Sequence, residues 1–214
     1  VTQAIWSDFD GDGFADLVLA GEWMPLSFYR NHNGIFKNVT ESLGMAESTG
    51  MWFSIAAADF DKDGDMDYVA GNLGLNTKYK ASKETPFEIY CSDFDENGSF
   101  DIVLGTYEAG VCYPVRGRGC SSQQMPFIKT KFPTFDEFAK ADINTVYGPE
   151  NLESALNYKI FTLSTSFIEN KGNGQFEVKP LPIEVQLSPV FGLLSGDYNQ
   201  DGNLDMLVSG NFYA

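Results

Sequence analysis

The sequence predicts an all-β fold assembled from repeated short-strand units and interrupted by one small helical insertion. Three observations predict it. One nine-residue acidic pattern occurs four times, at Asp8–Asp16, Asp59–Asp67, Asp93–Asp101 and Asp197–Asp205. Each copy lies between apolar runs too short for helices and bounded by Gly and Asp, which reads as strand, loop, strand. An alternating strand, an Asn-Gly turn and a return strand recur at Ser27–Phe36 and Ser166–Phe176. The loops start at residues 8, 59, 93 and 197, so successive starts are 51, 34 and 104 residues apart. Units of about four short strands cannot bury their apolar faces alone, and they stack on their neighbours as propeller blades do.

In chain order, the first unit runs over about residues 1–45, with Ala4-Ile5-Trp6 before the loop and Leu17-Val18-Leu19 after it. The second, about 46–86, places Ile55-Ala56-Ala57-Ala58 and Tyr68-Val69-Ala70 around its loop and closes after Gly71-Asn72-Leu73-Gly74-Leu75-Asn76. The third, about 87–185, begins with Ile89-Tyr90-Cys91 and Ile102-Val103-Leu104 and is stretched by an insertion at 114–158, helical around 126–158. Within that insertion Thr134-Phe135-Asp136-Glu137 has capping-box form, and Pro149 opens a further helix through Leu152 and Leu156. The third unit resumes at Phe161 and takes the second hairpin as its own. A partial fourth unit, about 186–214, carries the last loop between Leu193-Leu194 and Met206-Leu207-Val208. The chain starts one strand before a loop and stops one strand after another, so both ends read as cut from a longer array.

The loops carry the chemistry. All four read acid at position 1, acid or Asn at 3 and 5, Gly at 6 and Asp at 9. Alternate residues turn their oxygens to one side, and Gly13, Gly64, Gly98 and Gly202 permit the sharp turn. The expected ligands are Asp8, Asp10, Asp12 and Asp16; Asp59, Asp61, Asp63 and Asp67; Asp93, Asp95, Asn97 and Asp101; and Asp197, Asn199, Asp201 and Asp205. The backbone carbonyls of Phe14, Asp65, Ser99 and Asn203 would add one oxygen each. Converging hard oxygens predict Ca²⁺, up to four ions. An EF-hand would close with a bidentate Glu at position 12, whereas Leu19, Ala70, Leu104 and Val208 stand there. Asn97 and Asn199 each replace a carboxylate by a neutral amide, so weaker binding is expected in the third and fourth loops.

Composition narrows the partners. The chain has 214 residues and a net charge of -16, but fourteen of its 30 acids sit at these loop positions. With only 14 Lys and Arg, nucleic acid is an unsuitable partner, because phosphate attraction needs basic surface. No run of apolar residues is long enough to insert in a membrane. Cys91, Cys112 and Cys120 show neither CxxC nor zinc spacing; Cys112 and Cys120 are close enough in sequence to pair in an oxidising compartment, and Cys91 reads as a buried free thiol. Millimolar extracellular Ca²⁺ suits such loops better than cytosolic levels.

The Asp-x-Asp-x-Asp-Gly-x-x-Asp loops, the Gly-Asn after the second strand and the Asn-Gly-x-Phe hairpins resemble the FG-GAP or VCBS-type repeats of integrin α-like β-propellers. With Gly71-Asn72-Leu73-Gly74-Leu75-Asn76 and Gln124-Met125-Pro126-Phe127, the chain is most similar to bacterial secreted propellers related to cartilage acidic protein, often joined to an ASPIC/UnbV module. The resemblance implies structural Ca²⁺ and a propeller of about seven blades. The implied function is an extracellular, periplasmic or cell-surface binding module for a protein or carbohydrate ligand. Its further partners would be remaining blades or a second copy at open edges.

Other chemistry is weaker. Acids bunched around a Gly turn hold a cation and do not flank a sugar bond, and His32, the single histidine, stands in a solvated hairpin, so no catalytic residue is assigned. A secreted enzyme or accessory subunit of a surface complex, and a structural spacer, are the alternative classes. Arg116, Arg118, Lys129 and Lys131 form a candidate patch for an acidic partner, against the simpler reading of solvated charges balancing an acidic blade. Trp6 and Trp52 are expected to pack in the core, leaving Trp23 as the exposed aromatic. Asn38-Val39-Thr40 and Asn97-Gly98-Ser99 match glycosylation acceptors, although the second would put a glycan on a metal ligand.

Overall fold

The computed structural model describes residues 1–211. Strands β1 (Gln3–Ser7) and β2 (Asp16–Ala20) flank the first acidic loop. A short β3 (Glu22–Met24) follows, then the hairpin of β4 (Ser27–His32) and β5 (Ile35–Asn38). After β6 (Gly50–Met51), strands β7 (Ser54–Ala58) and β8 (Asp67–Gly71) flank the second loop. The third loop joins β9 (Phe87–Ser92) to β10 (Asp101–Glu108), and β11 (Val111–Pro114) returns from it. Five short helices follow: α1 (Arg118–Gln124), α2 (Phe127–Lys131), α3 (Phe135–Ala139), α4 (Ile143–Tyr147) and α5 (Pro149–Ser154). Then come β12 (Leu156–Ile160), the hairpin β13 (Ser166–Asn170) and β14 (Phe176–Pro180), a 3₁₀ turn at Ile183–Leu187, and β15 (Val190–Gly196) and β16 (Asp205–Gly210) around the fourth loop.

The chain forms two compact units, one of residues 1–78 and 161–214 and the other of residues 79–160. The first unit holds two complete antiparallel sheets, β1-β2-β4-β5 and β7-β8-β13-β14, and the two-stranded β15-β16. These meander sheets are those of propeller blades. Alternation drives them: β2 buries Asp16, Val18 and Ala20 on one face, the period of a half-buried strand. Their shared core gathers Phe9, Val18, Leu26, Phe28, Trp52, Ile55, Tyr68 and Ile168. Phe28 meets Phe9, Tyr68 and Phe176 with ring centroids 5.4, 5.6 and 4.9 Å away, so the first two sheets are joined through aromatic edges. Ile55 N donates to Gln3 Oε1 at 2.9 Å, and Ser54 Oγ donates to Val190 O at 2.9 Å, so β7 is bonded to the chain on both flanks.

The second sheet corrects the expected unit boundaries. The hairpin at 166–180 completes the second unit: β13 pairs with β8 in the register Ser166↔Ala70, Phe167↔Val69 and Ile168↔Tyr68. Residues 79–160 are therefore set, in sequence, between the inner and outer strands of one blade, and the boundaries at 46–86 and 87–185 do not hold. The physical reason is a clamp described below, in which Asn170 repeats the bond that Asn31 makes in the first sheet. Nearness in sequence favoured the third loop; the matching hairpin chemistry favours the second.

In the second unit the sheet order is β11-β10-β9-β12. Here β9 has a neighbour on each side, unlike β1 and β7, so this sheet departs from the blade pattern of the first unit. Its core is made largely by the helices, through Met125, Ile128, Phe132, Phe138, Ile143, Val146 and Leu152 with Phe94 and Val103. The Thr134 capping box forms as its sequence predicts: Glu137 N donates to Thr134 Oγ1 at 3.2 Å and Thr134 N to Glu137 Oε2 at 3.0 Å. Pro149 opens α5. The helices begin at Arg118, ahead of the expected stretch, because α1 is rich in Ser, Gln and Gly and carries little apolar periodicity.

Candidate metal centres

Among the described residues, three groups of carboxylates converge, each offering one oxygen within 4.8 Å of the others: Asp8, Asp10 and Asp16; Asp59, Asp61 and Asp67; and Asp93, Asp95 and Asp101. These are positions 1, 3 and 9 of the first three loops. The fourth loop does not form such a trio, as its third position is Asn199.

The backbone explains the convergence. Glycines at position 6 all take positive φ, at 88° for Gly13, 98° for Gly64, 87° for Gly98 and 86° for Gly202. Position 4 is also left-handed, at Gly11, Lys62, Glu96 and Gln200. That second reversal escaped the sequence reading, because Lys, Glu and Gln carry no left-handed signature. Between the two turns the position-1 carboxylate gathers backbone amides: Asp12 N donates to Asp8 Oδ1 at 3.1 Å and Gly13 N to Asp8 Oδ2 at 2.9 Å, and Asp93 and Asp197 repeat both bonds. Position 5 accepts from position 7, Phe14 N to Asp12 Oδ1 at 2.9 Å and Ser99 N to Asn97 Oδ1 at 2.8 Å. These are Asx turns, which hold the loop open toward its acids.

Position 9 is the buried member. Asp16 Oδ2 accepts from Phe9 N at 3.3 Å, and its other oxygen accepts from Asn31 N on β4 at 2.7 Å. Asp67 repeats this with Phe60 N at 3.2 Å and Asn170 N on β13 at 2.8 Å. Asp101 accepts from Phe94 N at 3.1 Å and is met by the side chain of Gln124 on α1, whose Oε1 accepts from Arg116 Nη1 at 3.1 Å. Burial pushes the Asp16, Asp67 and Asp101 carboxyls above the usual carboxylate range, against the lowering pull of the amides they accept. Burial, then a shared hydrogen bond and charge from Asp63, pushes Asp65 up to about 6. Asp59 Oδ1, Asp65 Oδ1 and Asp95 Oδ1 are buried without a hydrogen-bond partner. Buried anionic oxygens left unpaired are costly, and a divalent cation would reverse that cost.

The donor set fits Ca²⁺: it is all oxygen, mostly anionic, with no His or Cys. Arg30 Nε reaches Asp10 Oδ2 at 2.5 Å, placing a positive charge on one expected ligand of the first loop.

The remaining candidates fall elsewhere. Arg118 donates to Phe132 O at 2.6 Å and Pro133 O at 3.1 Å and lies 5.1 Å from the Phe135 ring centroid, and Lys131 Nζ donates to Val146 O at 3.0 Å. Two members of the expected basic patch are thereby committed to carbonyls just after α2 and in the last turn of α4, while Lys129 is exposed. Trp52 is buried, as expected, with Nε1 donating to Ser48 O at 2.8 Å. Trp6 is 65% exposed beside Phe36, because its strand turns it to the outer face, and Trp23 is the less exposed of the two. Cys91, Cys112 and Cys120 are free thiols, so the Cys112–Cys120 bridge is not formed; burial pushes the Cys112 thiol up to about 12. His32 is exposed at the end of β4, and Asn38 is exposed with Oδ1 accepting from Thr40 N at 3.0 Å.

One polar cluster gave no sequence signal. Glu88 on β9 is buried, with Tyr107 Oη donating to Oε1 at 3.3 Å, Lys159 Nζ at 3.3 Å from the same atom and the Tyr90 hydroxyl bonded to Oε2. All these partners come from β9, β10 and β12, and the cluster ties those strands together. No helix among the described residues is long and apolar enough to cross a membrane.

Residues 8–70 match the family model of the FG-GAP-like repeat. The match spans the first two acidic loops and the first outer hairpin. No curated protein matches the chain.

Proposed function

We infer that the protein is a Ca²⁺-stabilised interaction module of propeller type, working outside the cytoplasm or at a cell surface. The observation that carries this reading is the convergence of three carboxylates in each of three strand-to-strand loops, two of which hold a buried oxygen without a partner. Oxygens of Asp12, Asp63 and Asn97 and the carbonyls of Phe14, Asp65 and Ser99 would complete those shells, and Asp197, Asn199, Asp201, Asp205 and the Asn203 carbonyl would form a weaker fourth. A bound ion cancels the repulsion among clustered carboxylates and fixes the turn between two strands. Its role is structural: the acids are held by the turn and turned toward one another, which leaves recognition to the surfaces around them. The FG-GAP-like match supports an interaction role. The finer likeness to secreted propellers related to cartilage acidic protein, a protein or carbohydrate partner, and a binding rather than catalytic activity are part of this proposal.

The test is thermal unfolding with chelator and with Ca²⁺, paired with calorimetric titration. Chelation is expected to lower the melting temperature and Ca²⁺ to restore it. The second loop, all Asp and with Asp59 Oδ1 unpaired, should fill first; Arg30 shares Asp10 in the first loop and Asn replaces Asp in the third and fourth. Asp59→Asn combined with Asp61→Asn should remove the tightest site. A melt indifferent to chelator would refute structural Ca²⁺.

A further inference from the structure

We propose that the helical insertion carries a binding site for a small free aromatic carboxylate, in a cleft where the Arg118 guanidinium stands beside apolar walls. The site lies within residues 79–160, uses none of the loop acids and goes beyond the metal-stabilised interaction role.

The end of β11, the start of α1 and α3 enclose an open cleft of about 270 Å³. Its walls include Tyr113 and Pro114 from β11, and Phe138, Ala139 and Ala141 from α3 and the turn that follows it. Phe138 and Ala141 are buried and Ala139 is exposed, while Phe135, which also lines the cleft, is 67% exposed. Local chemistry keeps so short a helix in place. The Thr134 capping box fixes the start of α3, and Ala141 N donates to Phe138 O at 3.1 Å at its end. Ligand clefts usually measure about 300 to 1,000 Å³, so this one takes a single ring with its substituent and not a folded partner.

Charge names the group that the ring must carry. Residues 109–135 contain Arg116, Arg118, Lys129 and Lys131 and no acid, in a chain of net charge -16. The acids that follow this stretch are already engaged: Asp136 Oδ2 meets Lys140 Nζ at 2.6 Å, Glu137 Oε2 accepts from Thr134 N at 3.0 Å, and Asp142 Oδ1 accepts from Thr145 N at 2.6 Å. Of the four cations, Arg118 lines the cleft. Its Nε donates to Phe132 O at 2.6 Å and its Nη2 to Pro133 O at 3.1 Å, which fixes the guanidinium plane, whereas Nη1 makes no hydrogen bond among the described residues. The Phe135 ring centroid lies 5.1 Å from the guanidinium carbon and steadies it further. A guanidinium held in this way keeps its remaining donors ready for a carboxylate oxygen and loses little freedom on binding. Tyr113, Phe135 and Phe138 supply aromatic walls, which favour a ring over an alkyl chain.

The probe is phenylacetate, titrated into the full chain and followed through the amide resonances of Phe138, Ala139 and Ala141. Phenethyl alcohol, which lacks the charge, and acetate, which lacks the ring, are the matched compounds. Phenylacetate is expected to shift the cleft amides, the alcohol to bind about tenfold more weakly and acetate to leave them unmoved. Ala139→Phe, which fills the cleft from an exposed position, should abolish binding while the melt stays that of the parent. Arg118→Lys keeps the charge and loses the planar fork, and should weaken binding about tenfold. The proposal is overturned if phenylacetate shifts no cleft amide, if the alcohol binds as well as the acid, or if Ala139→Phe still binds. The tripeptide Gly-Gly-Phe offers the same ring and carboxylate at a chain end; tighter binding of it than of phenylacetate would make the occupant a peptide terminus and sink the assignment to a free small molecule.

Discussion

Asp16 and Asp67 each serve two structures at once. One oxygen accepts from the loop's own second residue and the other from the amide of an outer strand, so the acid that faces the expected ion also fastens the next hairpin. A charged group at that place is tolerated because it is bonded on both oxygens. Capping shows the same economy on α4, where Asp142 accepts from Thr145 N at 2.6 Å. That bond holds the Asp142 carboxyl below its ordinary value of 3.8, so the folded state favours the ionised form. The stabilisation is present above the unfolded value and is lost as pH falls through the folded one. Asp142→Ala should cost about 1 kcal/mol at neutral pH, with the difference from the parent vanishing in urea titrations at strongly acidic pH; a constant difference across that range would show that the cap is not the cause. Residue by residue, the acids that converge in the first three loops were legible because carboxylates at fixed spacing around Gly have few other uses. Lys62, Glu96 and Gln200 were not, since their left-handed backbone is imposed by the loop and not by their side chains.

At the scale of the element, the outer hairpins are interchangeable parts. Their common pattern was readable from Ser-Phe at the start and Asn-Gly at the turn, but which sheet each joins was not, because pairing depends on contact and not on order. The Gly71-Asn72 corner decides it for the second sheet. Asn72 is fully buried; its Nδ2 donates to Thr162 O at 3.2 Å, its Oδ1 accepts from Met51 N at 3.2 Å, and its carbonyl accepts from Val190 N at 3.0 Å. A Cβ at Gly71 would lie 2.4 Å from the Val190 carbonyl oxygen and 2.3 Å from Ser54 Oγ. The carbonyl belongs to backbone and cannot swing aside. Gly71→Ala is therefore expected to destabilise by about 1 to 3 kcal/mol, read as a lower melting temperature, whereas Gly34→Ala at an open turn should act only through its strained φ. Equal losses from the two would contradict close β8–β15 contact as the cause.

The molecule as a whole divides into a unit of residues 1–78 and 161–214 and a unit of residues 79–160. Each has its own apolar core, so each can satisfy its own burial. The chain leaves and re-enters the first unit at neighbouring points: Gly74 N donates to Leu163 O at 2.8 Å, and Asn72 N to Thr165 Oγ1 at 3.0 Å. Replacing residues 79–160 by a short Gly/Ser linker should accordingly leave the remainder folded, with a cooperative melt and the β8–β13 amides still protected from exchange. A molten, unprotected product would show that the two units fold only together.

The sequence by itself determined the local chemistry: four acidic turns, the strands that flank them, the hairpins with their Asn-Gly turns, and the Thr134 capping box of the insertion. Those features depend on residues within a few positions of one another, where side-chain size, charge and backbone freedom act directly. Only the tertiary structure decided that the second hairpin reaches back across residues 79–160 to Asp67, that helices replace a hairpin over the third loop, and that three of the four acidic turns close into carboxylate trios. Those outcomes turn on which apolar faces and which unpaired oxygens meet in space. That choice is made by burial and hydrogen bonding between distant segments.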